Sequence, residues 1–296
     1  MLCGCIDIGS NTTRVLVADA VDGRLAELLQ QRAFTRIGKG LAPGEAIPRA
    51  KIEEVGAVVA AQRQLAESAG ADPIRAVATA AIRCAANRDE FAEVVGERGG
   101  VEVTILDGEQ EARLAFLGAT RTLGRPLDGV IGVVDVGGGS TELAVGRVDD
   151  GVTWWTSFRL GSGQLADEHL RSDPPTEAEL RAMREHAAAV VAEVDAPSTG
   201  AAVAVGGSAA SLRRLVGPVL EAATMERALG VLTRAPAGEV ARQFALDPER
   251  VRLMPAGLIA LEAAASCFGC GLTIGRGGLR EGVLLELAGG MIGGHA

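Results

Sequence analysis

The chain has 296 residues, enough by ordinary domain sizes for two domains, each burying its own core. Apolar residues make up 48% but aromatics only 3%, with no tyrosine, so the cores are built from Ala, Val, Leu and Ile, as suits an alanine-rich α/β protein. The net charge is −9, and of 29 basic residues only Lys39 and Lys51 are lysines, which excludes the broad cationic surface that duplex nucleic acid or acidic lipid calls for.

In chain order, three β-rich runs come first, Cys3–Ile8, Arg14–Ala20 and Leu25–Phe34, the last two joined by the turn Val21-Asp22-Gly23-Arg24. They read as an antiparallel meander. After the Gly/Pro-rich stretch 38–48, the pattern predicts a helix at 49–69, a strand at 73–79, a helix at 87–97, a strand at 101–106 and a helix at 108–120. Gly124-Arg125-Pro126 then interrupts the pattern, and the domain boundary is placed there, giving 1–124 and 125–296. The second half repeats the order: strands at 130–136, 141–147 and 151–159, helices at 162–169 and 176–193, a strand at 202–205, then mostly helix, including an apolar one at 279–289. Neither a signal-peptide pattern nor an apolar run of about 18 residues is legible, so a cytoplasmic protein with no membrane span is expected.

Ile6-Asp7-Ile8-Gly9-Ser10-Asn11-Thr12-Thr13-Arg14 aligns with Val134-Asp135-Val136-Gly137-Gly138-Gly139-Ser140-Thr141-Glu142. The chain therefore reads as two copies of one fold. In each copy an apolar strand ends at an aspartate, a glycine follows, and a turn of small residues leads into a second apolar strand, as in a β-hairpin. Glycine lets the backbone take positive φ and lets a ligand come close. Successive amides in such a turn form a nest for phosphate oxygens, and Ser10, Thr12, Thr13, Ser140 and Thr141 add hydroxyls. Two such loops facing each other would grip a phosphate chain from both sides, with Asp7 and Asp135 suited to holding Mg²⁺. Each loop alone is also readable as only a tight hairpin, a reading that the two matching copies with the same leading aspartate weaken. Glu142 stands where the first copy has Arg14, giving a carboxylate on one wall and a cation on the other, or else an exposed strand pair. The phosphate motifs of other folds are absent: neither G-x-x-x-x-G-K-[ST] nor a helix-opening G-x-G-x-x-G occurs.

The five cysteines are read as small core thiols, although Cys3-x-Cys5 and Cys267-x-x-Cys270 together would also offer zinc ligands. The histidines, His169, His186 and His295, are expected to form no metal cluster.

With both loops in hand, the chain resembles the Ppx/GppA family of exopolyphosphatases and guanosine pentaphosphate phosphohydrolases. The resemblance is carried by CIDIGSNTTRVLVAD at the start, VATAAIRCAAN at 77–87, LDGEQEARLAFLG at 106–118, VVDVGGGSTELAVG at 133–146, FRLGSG at 158–163, VAVGGSAASL at 203–212, MPAGLIALEA at 254–263 and GLREGVLLEL at 278–287. It implies an α/β fold of two ribonuclease-H-like domains of the actin-like ATPase superfamily, with an interdomain cleft. It also implies the short, two-domain branch, a homodimer, and Mg²⁺, with Mn²⁺ as an alternative. The family's catalytic glutamate falls on Glu111. On a helical wheel Glu111 sits within the apolar arc of Ala112, Leu114, Ala115, Gly118 and Ala119, while Glu109, Arg113 and Thr120 lie opposite. An inward carboxylate needs a partner or a task, and an ion pair with Arg83 or another arginine would also explain it.

The resemblance further implies Asp135, Gly137 and Glu142 as metal or phosphate residues, Glu142 also as a catalytic assistant, and Arg83 as a phosphate contact, a role that competes with plain helix-surface placement. With the loop residues Gly9, Ser10, Asn11, Thr12, Arg14, Gly138, Gly139, Ser140 and Thr141, these make the expected phosphate site. The implied activity is hydrolysis of terminal phosphoanhydride bonds in polyphosphate, short chains favoured, or in guanosine pentaphosphate. A kinase of the same superfamily acting from ATP, and a non-hydrolysing guanosine polyphosphate sensor, are the competing readings.

Overall fold

The structure, a computed structural model, describes residues 1–21 and 23–292; Asp22 of the expected turn and His295 lie outside the described residues. The chain divides into two compact units, Met1–Thr122 joined by the C-terminal segment from Gly277, and Leu123–Arg276.

The first unit runs β1 (Leu2–Ile8), β2 (Thr13–Val21), β3 (Arg24–Ala33), α1 (Arg49–Ser68), β4 (Ile74–Ala78), a one-turn α2 (Ala80–Arg83), α3 (Arg88–Gly99), β5 (Val103–Ile105) and α4 (Gly108–Thr122). Its five strands are ordered β3-β2-β1-β4-β5, antiparallel on one side of β1 and parallel on the other. The two-residue period of a strand divides the side chains between two cores. Ile6, Ile8, Val15 and Val17 pack in one cluster with residues of α1 and α3, whereas Cys3, Cys5, Leu16, Ala18 and Val77 pack in another with Leu114 of α4.

The second unit continues with β6 (Ile131–Val136), β7 (Thr141–Arg147), β8 (Gly151–Phe158), α5 (Ser162–His169), α6 (Glu177–Val191), β9 (Ala201–Val205), α7 (Gly206–Val216), β10 (Val219–Leu220), α8 (Ala222–Thr233), α9 (Ala237–Phe244), α10 (Pro248–Phe268) and β11 (Leu272–Ile274). Its six-stranded sheet is ordered β10-β11-β9-β6-β7-β8. Read from β8, the first five strands repeat the order and directions of the first unit, and β10 adds an antiparallel edge. The duplication legible in the sequence is thus a duplication of topology, two ribonuclease-H-like α/β domains. The two- and three-residue strands β10 and β11 interrupt the stretch expected to be mostly helical.

Local signals account for the helix ends. Asp247 caps α10 by accepting from the Glu249 amide at 2.9 Å, Pro248 opens the helix, and Gly269 closes it at φ 64°. Thr176 and Glu179 form a reciprocal capping box at the start of α6. No unbroken apolar run reaches membrane-spanning length among the described residues, but α10, interrupted by Arg250, Arg252 and Glu262, is by length and mean composition apolar enough to cross a membrane. Most of it is buried, and Val251, Met254, Leu258, Leu261 and Phe268 belong to the core of the second unit.

The last helix, α11 (Leu279–Ile292), corrects the expected division at residues 124 and 125, because it completes the first unit rather than the second. It lies against α4 through glycines: a Cβ on Gly118 would stand 1.9 Å from the Gly278 carbonyl oxygen, and one on Gly282 would stand 1.9 Å from that of Leu114. Glu286 of α11 pairs with Arg75 at 2.8 Å and Arg113 at 2.6 Å. Burial would raise its carboxyl, but the two guanidiniums overcome that and hold it below the ordinary glutamate range.

Candidate functional site

The two glycine hairpins are built alike. In the first, the Gly9 amide donates to the Thr12 carbonyl at 3.0 Å; in the second, Gly137 donates to Ser140 at 2.9 Å. A backing segment then fixes each turn. The Arg36 and Gly38 amides donate to the carbonyls of Asn11 and Ser10 at 3.0 and 2.8 Å, and Ser162, Gly163 and Gln164 donate to Gly137 and Gly138 at 2.9–3.0 Å. Gly161 is required there, since a Cβ would lie 2.3 Å from the Gly139 nitrogen. Among the described residues, the amides of Ser10, Asn11, Gly138 and Gly139 donate to no protein acceptor, so each turn presents two successive N–H groups, the elements of an anion nest.

Not every hydroxyl expected to serve a ligand does so. Thr141 is fully buried and gives its proton to the Leu160 carbonyl at 2.6 Å; its counterpart Thr13 is fully buried and bonds Thr35 at 3.0 Å. Both begin the second strand of their hairpin, where the pleat turns the side chain into the core. Thr12 accepts from Arg14 Nε at 3.0 Å, and Ser10 and Ser140 are nearly buried within their turns.

The strand ends differ in charge. Asp7 stands opposite Arg14 across β1 and β2, whereas Asp135 stands opposite Glu142 across β6 and β7. Directly opposed residues of an antiparallel pair share a face, so the first hairpin carries an ion-pair arrangement and the second two carboxylates. Burial pushes the Asp7 carboxyl above the ordinary aspartate value, with Arg14 and Arg280 opposing the rise and Glu281 adding to it. Glu142 is only 3% exposed and accepts from the Ser157 hydroxyl at 2.8 Å, so it is not part of an exposed strand pair. Asp135 lies under Gly206, whose φ of 83° needs glycine and where a Cβ would meet Asp135 Oδ1 at 2.3 Å. A bare Cα at this point leaves the carboxylate its room. Two hard-oxygen carboxylates on one face, with space kept by a glycine, are a donor set that suits Mg²⁺.

Glu111, 6% exposed on α4, is inward as the wheel indicated. The ion pair considered for it exists: Arg83 Nη1 lies 2.7 Å from Glu111 Oε2 and also donates to the Leu106 carbonyl at 2.9 Å. Arg83 is therefore held by the protein rather than lying loose on a helix surface. Thr120, expected on the polar side of α4, is buried and donates to the Phe116 carbonyl instead.

Sequence reasoning assigned no site role to Gly38, Ser157, Gly206 or a buried arginine, Arg250, whose Nε and Nη2 reach the hydroxyls of Ser211 and Ser208 at 2.9 and 3.3 Å in α7. A pair of glycines, Gly206-Gly207, opening an alanine-rich helix was the available signal. The histidine expectation is corrected. His169 and His186 stand 2.9 Å apart, and their ligating atoms and one from Glu168 all lie within 4.8 Å of one another, because α5 and α6 bring together residues 17 positions apart. Cys3 and Cys5 are buried in the first unit, where burial raises both thiols; Cys267 and Cys270 are half-buried in the second, and Cys84 is exposed.

A model of the Ppx/GppA phosphatase family matches residues 16–290. Exopolyphosphatase 1 of Mycobacterium leprae is 31% identical over 97% of this chain and 89% of its own. A guanosine-5'-triphosphate,3'-diphosphate pyrophosphatase of Aeromonas hydrophila is 29% identical over 97% of this chain, which spans 60% of that longer protein. The crystal structure of the Aquifex aeolicus Ppx/GppA family member superposes with a TM-score of 0.81 at 28% identity, covering 100% of this chain and 99% of that one. The chain belongs to the Ppx/GppA phosphatase family and is a phosphoanhydride hydrolase.

Proposed function

We propose that the protein removes terminal phosphate from inorganic polyphosphate, short chains favoured, or from guanosine pentaphosphate, in a Mg²⁺-dependent reaction that Mn²⁺ also supports. The observation that carries this reading is the repeated glycine hairpin with two open amides in each copy and an added carboxylate, Glu142, in the second. The open amides of Ser10, Asn11, Gly138 and Gly139 bind phosphoryl oxygens. Asp135 and Glu142 would hold the metal, with Asp7, already faced by Arg14, contributing less. When bound, the ion supplies charge neutralisation on phosphoryl oxygens.

Glu111 acts as the acceptor that orients water and takes its proton, while Arg83 fixes the carboxylate. The water oxygen bonds to the terminal phosphorus, the bridging P–O bond breaks, and its electron pair stays with the remaining phosphate chain. The net charge of −9 favours short polyanions over long ones. Other members of the actin-like superfamily transfer phosphate instead, and release without an added acceptor separates the two chemistries.

The test is phosphate release from polyphosphate of graded length beside guanosine pentaphosphate, at varied Mg²⁺, by the wild type and Glu111→Gln. Loss of the general base should lower kcat by about 10²–10⁴ while substrate binding persists. Undiminished release by Glu111→Gln overturns the assignment of that residue, and absence of release from every substrate tried overturns the function.

A further inference from the structure

We propose that Glu168, His169 and His186 form a second, separate cation site in this protein, selective for a borderline transition-metal ion of the Zn²⁺ class rather than for Mg²⁺. The carboxylate–Mg²⁺ chemistry proposed for the hydrolase makes no use of these residues, and the inference does not depend on it.

The geometry is that of a preformed chelate. His169 Nε2 and His186 Nδ1 are 2.9 Å apart, and Glu168 Oε2 is 3.3 Å from the same His186 nitrogen. Around a tetrahedral Zn²⁺ with bonds of about 2.0–2.1 Å, neighbouring ligand atoms are separated by about 3.3 Å. Of the three pairs, one already has that spacing, a second needs to open by only a few tenths of an ångström, and the third, Glu168 with His169, lies within 4.8 Å. The rings meet edge to face, centroids 5.1 Å apart and planes at 80°, so the two nitrogens converge without stacking. Such an arrangement replaces a single shared proton between imidazoles with a metal ion and leaves a fourth position for water.

The surroundings hold the ligands in place. Glu168 and His169 are the last two residues of α5, and His186 comes from the middle of α6. Gln164, one turn earlier on α5, donates to Glu168 Oε1 at 3.0 Å, which orients the other oxygen toward His186, the role an outer shell plays in metal sites. Arg171 spans the end of α5, donating to the carbonyls of Asp167 and Leu170 at 2.8 and 3.0 Å. Two imidazoles and one carboxylate form a mixed N/O set that Zn²⁺, Ni²⁺ or Cu²⁺ bind well and that Mg²⁺, which keeps its water and prefers oxygen, does not. The site is half-buried, so an ion can enter.

The position gives such an ion a structural consequence. The first turn of α5 holds the Gly137 and Gly138 carbonyls of the second hairpin, and its last turn carries Glu168 and His169, about 10 Å further along the helix at 1.5 Å per residue. A metal bridging the end of α5 to α6 fixes the helix that backs the hairpin.

The experiment uses the full chain, purified metal-free, in calorimetric titrations with ZnCl₂ in excess Mg²⁺, together with ¹H–¹⁵N spectra of the imidazoles. Three histidines make the spectrum readable. One Zn²⁺ per chain should shift two of the three imidazoles. His186→Gln should weaken that binding event by at least about tenfold, since even outer-shell changes cost that much. The double variant Cys267→Ser/Cys270→Ser should leave it intact. Imidazole signals unmoved by stoichiometric Zn²⁺ in the wild type would show that the histidines only share a proton and would sink the proposal, whatever the folding of the variants. Zn²⁺ affinity unchanged in a folded His186→Gln would do the same.

Discussion

The contact between α4 and α11 makes a quantitative demand that substitution of Gly282 by alanine exposes. On an isolated helix this change is favourable by about 1 kcal/mol, because glycine is the poorer helix former. Here the new Cβ would lie 1.9 Å from the Leu114 carbonyl oxygen and 2.7 Å from its carbon, against 3.4 Å for ordinary contact. The obstacle is backbone, so no rotamer change relieves it, and the helices must part by about 1.5 Å, the difference between 3.4 and 1.9 Å. Parting uncovers Leu114, Leu279, Val283 and Leu284, which are now at most 7% exposed. Overpacking of this kind costs about 3 kcal/mol at the upper end of its range, leaving a net loss of about 2 kcal/mol after the helix gain. With a urea slope near 3 kcal/mol/M, the midpoint followed by far-UV circular dichroism should fall by about 0.7 M. Gly230→Ala is the control: it is exposed on α8 with no atom within 4 Å of its would-be Cβ, and should raise the midpoint through propensity alone. A midpoint for Gly282→Ala equal to or above wild type would refute the packing argument, and with it the assignment of α11 to the first unit.

Gly206→Ala should displace the Asp135 carboxylate and raise the Mg²⁺ concentration needed for half-maximal phosphate release by at least about tenfold; an unchanged requirement removes Asp135 from the metal site. Arg83→Met should cost about 3 kcal/mol of stability, the low end for a broken buried pair because the arginine side chain is 20% exposed, whereas Glu111→Gln, which leaves that partly exposed guanidinium its bond to the Leu106 carbonyl, should cost less; equal urea midpoints for the two variants would contradict this. Thr176→Ala should lose about 1 kcal/mol with its N-cap. Glu179 accepts from the backbone amides of Thr176, Arg171 and Ser172 and is held down to about 2 from 4.5. A depressed folded-state value means stabilisation fully present above pH 4.5 and lost as pH falls through about 2, so the stability gap between wild type and Glu179→Gln should close over that window. A gap constant from pH 5 to 2 would contradict this.

Features set by short-range chemistry were readable from the chain. Strands ending in Asp-x-Gly, repeated with the same spacing, located both hairpins, and the wheel of α4 turned Glu111 inward as observed. Features set by distant contacts were not. Nothing near Gly282 indicates that it meets Leu114, more than 160 positions earlier, and so the C-terminal helix was placed in the wrong unit. Thr13 and Thr141 looked like ligand hydroxyls because a turn precedes them, but strand parity decides where they point. His169 and His186 lie on separate helices, and only the packing of α5 on α6 makes them neighbours.

Both tryptophans of the chain, Trp154 and Trp155, sit on β8, three and two residues before Ser157, whose hydroxyl holds the buried Glu142. With no tyrosine present, emission excited beyond the phenylalanine band comes from tryptophan alone, and so from the second unit. The molecule thus contains a built-in optical probe placed on the strand that supports the extra carboxylate, needing no attached dye.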